Sequence, residues 1–253
     1  MNREVIIFET GDEVAQYAAE LFAGMAEEAV AARGVFTVAL SGGSTPKTAY
    51  SLLAAKPLQD QVPWDNVQIF WGDERTVPPD HPDSNYRMAR EAMLAHVPIP
   101  EANIHRMEGE AADLDASAAS YEQTIRTVLD IKGGIPRFDL ILLGMGDDGH
   151  TASLFPQTAA LDETERLVVP NHVAKLNTNR ITMTRPLLNN GGCVLFLAPG
   201  AAKAARLHEV LEGPQDWHRL PSQSIQPQNG RLVWAIDKGA AVQLTGNYII
   251  HGE

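Results

Sequence analysis

Residues 138–153 read FDLILLGMGDDGHTAS, an apolar strand-like run that ends in a glycine-rich loop carrying acidic residues and a histidine. Asp148 stands two positions before His150 in that loop. A histidine titrates near neutral pH, and a neighbouring carboxylate fixes its tautomer and raises its basicity. An Asp-Gly pair after a strand is also the usual composition of a simple turn. The segment alone therefore leaves two interpretations, a general base or a turn.

Composition and charge limit the function classes. The chain has 253 residues, of which 44% are hydrophobic, and can bury a substantial core. Its 20 Lys and Arg against 32 Asp and Glu give a net charge of -12. This charge disfavours nucleic acid and anionic membrane surfaces as partners. Any anionic ligand must then be held by a few local cations.

Cysteine usage and hydropathy bear on the compartment. The single cysteine, Cys193, lies in the apolar run 193–198, so we expect a buried and inert thiol. One cysteine excludes an intramolecular disulfide and fits a reducing compartment. The opening residues MNREVIIF lack the length and cleavage site of a signal peptide, and no apolar run approaches the roughly 18 residues of a membrane span. We therefore expect a cytoplasmic protein without membrane association.

Strand-like and helix-like segments alternate along the chain. Strands are predicted over residues 5–8, 35–40, 67–71, 138–143, 181–184, 194–197 and 232–236. Helices are predicted over about 10–33, with Thr10 and Glu13 as a capping box, and over about 46–54, 84–94, 112–129 and 201–211. The alternation predicts an α/β fold, a mainly parallel sheet with helices on both faces. Without a repeat or linker, residues 1–253 are expected to form a single domain.

In an open parallel sheet, ligands bind beyond the carboxyl ends of the strands. The loop after the second predicted strand contains Ser41, Gly42, Gly43, Ser44 and Thr45, and opens into a helix. Free backbone N–H groups, the helix dipole and hydroxyl donors suit such a loop to a phosphate. A glycine turn with a helix cap is an equally good interpretation, and the Gly-Lys-Ser/Thr ending of a Walker A loop is missing.

Charged residues recur at comparable places. Asp73, Glu74 and Arg75 follow the apolar run 67–71, Arg180 stands just before the predicted strand 181–184, and Lys203 lies at a helix start. A lysine in a first helical turn opposes the helix dipole, so it does not stabilise the helix, and binding an anion would explain it. Solvated surface charge is the alternative for each residue taken alone.

Three other kinds of site are not supported by the sequence. GMGDDG at 144–149 matches a dinucleotide-binding pattern, but Pro156 interrupts the helix that should follow, and the acidic residues would repel a pyrophosphate. Ser41 and Ser44 do not lie in a Gly-x-Ser-x-Gly elbow. The histidines show no recurrent spacing of metal ligands. We therefore expect neither a metal nor a cofactor.

Several segments, taken in order, resemble the motifs of the glucosamine-6-phosphate isomerase/6-phosphogluconolactonase family, and in particular those of its lactonase members. They are SGGSTP (41–46), GDER (72–75) with Pro78 and SNYRM (84–88), GMGDDGHTASLFP (144–156), RITMT (180–184), GAAK (200–203) and WAIDKGAA (234–241). The resemblance covers essentially the whole chain. It implies a modified Rossmann-like, glucosamine-6-phosphate deaminase-like fold. It also implies cofactor-free hydrolysis of 6-phospho-D-glucono-1,5-lactone in the oxidative pentose phosphate pathway.

The resemblance also implies roles for residues at matching positions. His150 would be the base that activates water, and Asp148 would orient or polarise His150. Substrate and phosphate contacts would come from two groups, the loop Ser41–Thr45 and the charged residues Asp73, Arg75, Arg180 and Lys203. Residues 173–179 depart from the proline-rich stretch expected before Arg180, which leaves the shape of that loop open.

Two other functions compete with the lactonase. An amino-sugar phosphate deaminase/isomerase on the same fold would carry an acidic residue soon after Asp-Gly-His, and residues 151–156 contain none. A non-catalytic sugar-phosphate sensor predicts an appended DNA-binding segment or a broken Asp-His pair, and the sequence shows neither. The sequence leaves the oligomeric state open.

Overall fold

The computed structural model describes residues 3–252 and places seven parallel strands in one sheet. The strands are β1 (Arg3–Phe8), β2 (Phe36–Leu40), β3 (Val67–Trp71), β4 (Asp73–Arg75), β5 (Leu140–Gly144), β6 (Val168–Val173), β7 (Thr178–Met183), β8 (Cys193–Leu197), β9 (Arg231–Asp237) and β10 (Ile249–Ile250). The order in the sheet is β10-β1-β9-β8-β5-β2-β3, and each neighbouring pair is parallel. The predicted parallel sheet is confirmed.

A second, three-stranded sheet was not predicted. It is antiparallel, in the order β4-β7-β6. The strand predicted at 181–184 is β7, which begins earlier and belongs to this small sheet. Arg180, expected just before a strand, therefore lies inside one, opposite Arg75 of β4. The short apolar run carried no information about which sheet it would join, because that choice depends on distant partners.

The helices largely follow the predicted segments. They are α1 (Gly11–Arg33), α2 (Ser44–Leu53), α3 (Leu58–Gln61), α4 (Asn85–Ala89), α5 (Leu114–Val128), α6 (Arg185–Leu188), α7 (Ala204–Glu212) and α8 (Lys238–Ala241). The Thr10 hydroxyl accepts the N–H of Glu13, but the Glu13 carboxylate accepts from Glu9 rather than from Thr10. The predicted capping box is therefore only half formed. None of the helices within residues 3–252 is both long and apolar enough to cross a bilayer.

Helices cover both faces of the large sheet, as predicted. Successive residues of a strand point to opposite faces. Val38 and Leu40 of β2 pack into the core beneath α1 and α2, whereas Ala39 packs into the core on the α5 and α7 side. All five residues of β2 and of β8 are buried. Strands buried on both faces read as continuous apolar runs, which explains why these segments were recognisable in the sequence.

The strand order creates a crevice at the carboxyl ends of β2 and β5. After β2 the chain moves outward to β3, and it later returns to form β5 on the other side of β2. The loops that follow β2 and β5 therefore leave in different directions. Ligands of open parallel sheets bind at such points, beyond the carboxyl ends of the strands.

Candidate active site

A cavity of about 470 Å³ opens at this crevice. Segments that follow β2, β5 and β8 line it, together with residues of β4 and β7. The structure brings together every residue that the sequence assigned to the site, and all of them line the cavity: Ser41, Gly42, Gly43, Ser44, Thr45, Asp73, Arg75, Asp148, His150, Arg180 and Lys203. Residues far apart in the chain thus share one concave surface.

The loop after β5 presents an aspartate–histidine pair. Nδ1 of His150 lies 2.6 Å from Oδ1 of Asp148, and the same oxygen accepts the His150 backbone N–H at 3.2 Å. The hydrogen bond from His150 holds the pKa of Asp148 well below its usual range. An ionised carboxylate at Nδ1 keeps the proton on that nitrogen, so Nε2 is the nitrogen left to accept a proton. The Asp-Gly segment is therefore a turn, and the same turn orients the imidazole of His150.

Two neighbours fix the plane of the imidazole. Phe155 stacks on it with ring centroids 4.0 Å apart and 21° between the planes. On the loop backbone, a Cβ added to Gly146 would lie 2.1 Å from Nδ1 and Cε1 of His150. No side chain fits in that space, which explains a glycine at this position. The ring has 29% side-chain exposure, so it is held firmly and still faces the cavity.

The loop after β2 leads into the N-terminus of α2. Gly42 is required by a close approach, because a Cβ there would lie 2.0 Å from Oδ1 of Asn85. Gly43 immediately precedes α2. Because glycine has no side chain, the first N–H groups of the helix have no side-chain cap. The Ser41 hydroxyl is buried and has no hydrogen-bond partner within the described part of the chain. Free N–H donors and a free hydroxyl suit an anionic or polar ligand.

Two arginines face each other on the small sheet. Arg75 and Arg180 occupy paired positions of β4 and β7. Each guanidinium donates to backbone carbonyls, Arg75 to Asp83 and Arg180 to Asn179, and neither forms an ion pair with a carboxylate of residues 3–252. Burial, followed by the charge of Arg75, lowers the pKa of Arg180, although a guanidinium remains charged. Two adjacent guanidiniums that form no ion pair with a carboxylate are a favourable environment for an anion.

The acidic residues beside Arg75 have different surroundings. Asp73 accepts a 2.6 Å hydrogen bond from the Ser153 hydroxyl, and Asn85 donates to the Asp73 carbonyl at 2.9 Å. Glu74 is only 2% exposed and accepts the backbone N–H groups of Asn85 and Tyr86 at the start of α4. Burial raises the pKa of Glu74. Asp73 therefore belongs to the cavity, while Glu74 holds β4 against α4. The interpretation as solvated charge is wrong for both.

Two lysines at the cavity are paired with aspartates of the β5 loop. Lys203 contacts Asp147, whose side chain is 83% exposed, and lowers the pKa of that carboxyl. Lys175 lies 3.0 Å from Oδ2 of Asp148. Exposed ion pairs contribute only about 0–1 kcal/mol, so an incoming anion can replace Asp147 at Lys203.

Sequence reasoning missed several residues of the cavity. Asn85, Ser153 and Phe155 lay within recognised motifs but received no role, and Lys175 and Leu176 lay in the segment judged atypical. The signal available for these residues was a polar residue inside a recognised motif. Asn85, which follows the helix-capping residue Ser84, is an example. Within residues 3–252, no three His, Cys, Asp or Glu side chains are grouped so that they could hold a metal ion.

Known proteins resemble this chain along most of its length. Residues 9–234 match the family described as glucosamine-6-phosphate isomerases/6-phosphogluconolactonase. A 6-phosphogluconolactonase of Synechocystis is 49% identical over 218 residues, 86% of this chain and 88% of that protein. The solved 6-phosphogluconolactonase from Trypanosoma cruzi superposes with a TM-score of 0.84 at 30% identity, over 96% of this chain and 97% of the other.

The fold itself is shared more widely. A monomeric glucosamine-6-phosphate deaminase superposes with a TM-score of 0.81 at 21% identity, over 95% of this chain and 99% of the other. That likeness concerns the fold and confirms the predicted deaminase-like architecture. The match over residues 9–234 and the identity to the Synechocystis protein go further. The chain belongs to the glucosamine-6-phosphate isomerase/6-phosphogluconolactonase family.

Proposed function

We propose that this protein is a 6-phosphogluconolactonase that hydrolyses 6-phospho-D-glucono-1,5-lactone to 6-phospho-D-gluconate. The observation that carries the proposal is the pairing of His150 with Asp148 at 2.6 Å, in the same cavity as two arginines without carboxylate partners. The first feature supplies a base, and the second supplies a place for a phosphate. The 49% identity to a protein named 6-phosphogluconolactonase supports the same substrate.

Phosphate binding rests on close cations, because the chain as a whole carries a charge of -12. Arg75, Arg180 and Lys203 line the cavity, as do the first residues of α2. A charge-assisted hydrogen bond contributes about 1.5–3 kcal/mol, so two or three such contacts are sufficient to hold a sugar phosphate. Fixing the phosphate also fixes the position of the lactone ring relative to His150.

Hydrolysis proceeds in two proton transfers. Nε2 of His150 takes a proton from water as the water oxygen bonds to C1, and the carbonyl electrons move onto the carbonyl oxygen. The tetrahedral intermediate then collapses, the bond between C1 and the ring oxygen breaks, and the imidazolium returns the proton to that oxygen. The ionised Asp148 stabilises the imidazolium between the two steps. General-base catalysis of this kind contributes about 10²–10⁴-fold, which is adequate for an ester that also hydrolyses unaided.

The amino-sugar phosphate deaminase is the nearest rival, since it has the same fold. Residues 151–156 contain no carboxylate. Phe155 instead stacks on the imidazole at 4.0 Å, which gives His150 an apolar neighbour rather than a second acid. This favours hydrolysis over proton shuttling between C1 and C2. The intact Asp148–His150 pair likewise disfavours a non-catalytic sensor.

The proposal extends to the setting of the reaction. A 6-phosphogluconolactonase acts in the oxidative pentose phosphate pathway. Cys193 is a free, buried thiol, which is compatible with the cytoplasm. We propose that residues 1–253 work as one domain, because the loops of the cavity come from both halves of the chain.

Acid release from freshly prepared 6-phosphogluconolactone tests the proposal. The wild-type protein should release acid well above the spontaneous rate without added cofactor, and should release no ammonia from glucosamine 6-phosphate. Ammonia release without lactone hydrolysis would favour the deaminase. Binding of the lactone without either reaction would favour the sensor.

A further inference from the structure

Lys175 lies at the tip of a hairpin that reaches the cavity. β6 and β7 pair over six residues each, ending with Val173 opposite Thr178. The four residues between them form a tight turn in which Asn177 adopts a left-handed conformation, with φ of 47°. Asparagine tolerates that conformation better than most residues. The paired strands therefore hold Lys175 at a defined place on the cavity wall.

The two oxygens of Asp148 are used differently. Oδ1 accepts both hydrogen bonds from His150, and Oδ2 accepts one from Nζ of Lys175 at 3.0 Å. Among residues 3–252, Lys175 is the only hydrogen-bond donor to Oδ2. A carboxylate can rotate about its last bond, because terminal torsions of this type are broad. A cation on one oxygen limits that rotation and keeps the other oxygen on the imidazole.

Lys175 also changes the charge around His150. Two carboxylates belong to the same loop as the imidazole: Asp148, which contacts it, and Asp147, which precedes it in the chain. Lys175 pairs with the first and Lys203 with the second, while Asp73, Arg75 and Arg180 line the same cavity. Each of the two carboxylates in the loop that carries His150 is thus paired with a lysine.

We propose that Lys175 is a positioning residue, which holds Asp148 against Nδ1 of His150. The inference rests on the proposed lactone hydrolysis. It goes beyond that proposal because it assigns a role to a segment that departs from the pattern expected of the family. Lys175 acts through Asp148 and needs no contact with the substrate.

The test compares Lys175→Met, which removes the charge and keeps the length, with Lys175→Arg, which keeps the charge. Lys56→Met is the matched control, because Lys56 is exposed, pairs with Asp60 and lies outside the cavity lining. kcat and KM for 6-phosphogluconolactone are measured at about pH 7, after subtraction of spontaneous hydrolysis. Thermal unfolding of each variant reports on the fold.

Lys175→Met should lower kcat about fivefold at pH 7, or about 1 kcal/mol at 1.4 kcal/mol per tenfold, with little change in KM. Lys175→Arg should recover most of the activity, and the control should match wild type.

Three results would overturn the inference. A rise in KM at constant kcat would make Lys175 a substrate contact. A melting temperature and a kcat that are lowered equally in Lys175→Met and Lys175→Arg would make its role structural. Unchanged kinetics would mean that the ion pair of Lys175 with Asp148 is a solvated surface contact with no role in the reaction. An inactive wild-type protein would instead contradict the proposed lactone hydrolysis. Failure of the inference on Lys175 and failure of the proposed function are therefore distinguishable.

Discussion

Arg75 and Arg180 occupy directly opposite positions on neighbouring antiparallel strands, although both side chains are positively charged. Like charges in such positions destabilise a sheet. Each guanidinium donates to a backbone carbonyl, and neither forms an ion pair with a carboxylate within residues 3–252. An anion bound between the two guanidiniums would offset their repulsion, which is the role that we propose for the substrate phosphate.

Replacing Arg180 with alanine should separate phosphate binding from chemistry. Loss of one charge-assisted contact, about 1.5–3 kcal/mol, should raise KM for the phosphorylated lactone by roughly 10–150-fold. Turnover of unphosphorylated gluconolactone should change little, and the melting temperature should not fall, because repulsion with Arg75 is removed. Arg106→Ala is the control, since Arg106 pairs with Glu110 outside the cavity lining. Equal losses on both lactones would mean that Arg180 serves the reacting ring.

Asp147 should compete with the substrate for Lys203. The two side chains form an ion pair in which Asp147 is 83% exposed. Asp147→Asn should therefore lower KM for the phosphorylated lactone, by up to about fivefold given the 0.2–1 kcal/mol of exposed pairs. Asp12→Asn, which changes the net charge equally on the exposed side of α1, should have no effect. A raised KM in Asp147→Asn would show that Asp147 supports binding.

Gly146 should tolerate no side chain. An added Cβ would lie 2.1 Å from the imidazole of His150, so the ring must move. Gly146→Ala should lower kcat by about tenfold to a hundredfold, the loss typical of a displaced catalytic group. Gly24→Ala in α1, where no atom lies within 4 Å of the added Cβ, should leave kcat unchanged. Wild-type turnover in Gly146→Ala would show that the ring position is not critical.

Glu212 should make stability depend on acid pH. Its carboxylate accepts hydrogen bonds from Tyr248, Gly246 and Thr245, and the bond from Tyr248 is the main cause that lowers its pKa from 4.5 to about 2. A lowered pKa stabilises the folded state above the unfolded pKa, and this stabilisation is lost as pH falls towards the folded pKa.

Glu212→Gln should therefore lower the free energy of unfolding at pH 7 by about 1–3 kcal/mol, measured by urea denaturation. The difference from wild type should shrink as the pH falls from about 4.5 to about 2. Lactone turnover at pH 7 and the stability of an exposed control, Glu28→Gln on α1, should match wild type. A difference that is constant with pH would exclude the carboxylate charge as its origin.

Local signals explain what could be predicted from the sequence. β2, β5 and β8 are buried on both faces, so their apolar runs identified a parallel sheet and the loops at its carboxyl edge. Asp148 and His150 are two residues apart, and their contact is a property of one turn. Residues in such loops meet because parallel strands end at a common edge.

Long-range packing explains what could not be predicted. The pairing of Arg75 with Arg180 depends on an antiparallel sheet whose strands come from distant parts of the chain. The hydrogen bond from Ser153 to Asp73 likewise joins two loops that no periodicity relates. Lys175 lies in a turn whose course depends on the hairpin that carries it. Short strands and hairpin tips are positioned by the distant segments with which they pair. Local patterns in a single sequence do not identify those segments.

The most direct test of the account is the turnover of 6-phosphogluconolactone by His150→Ala, measured as acid release above the spontaneous rate. Loss of the general base should lower kcat by about 10²–10⁴-fold and leave KM largely unchanged, and Asp148→Asn should cost less. Near-normal turnover in a folded His150→Ala protein would contradict the assignment of His150 as the base.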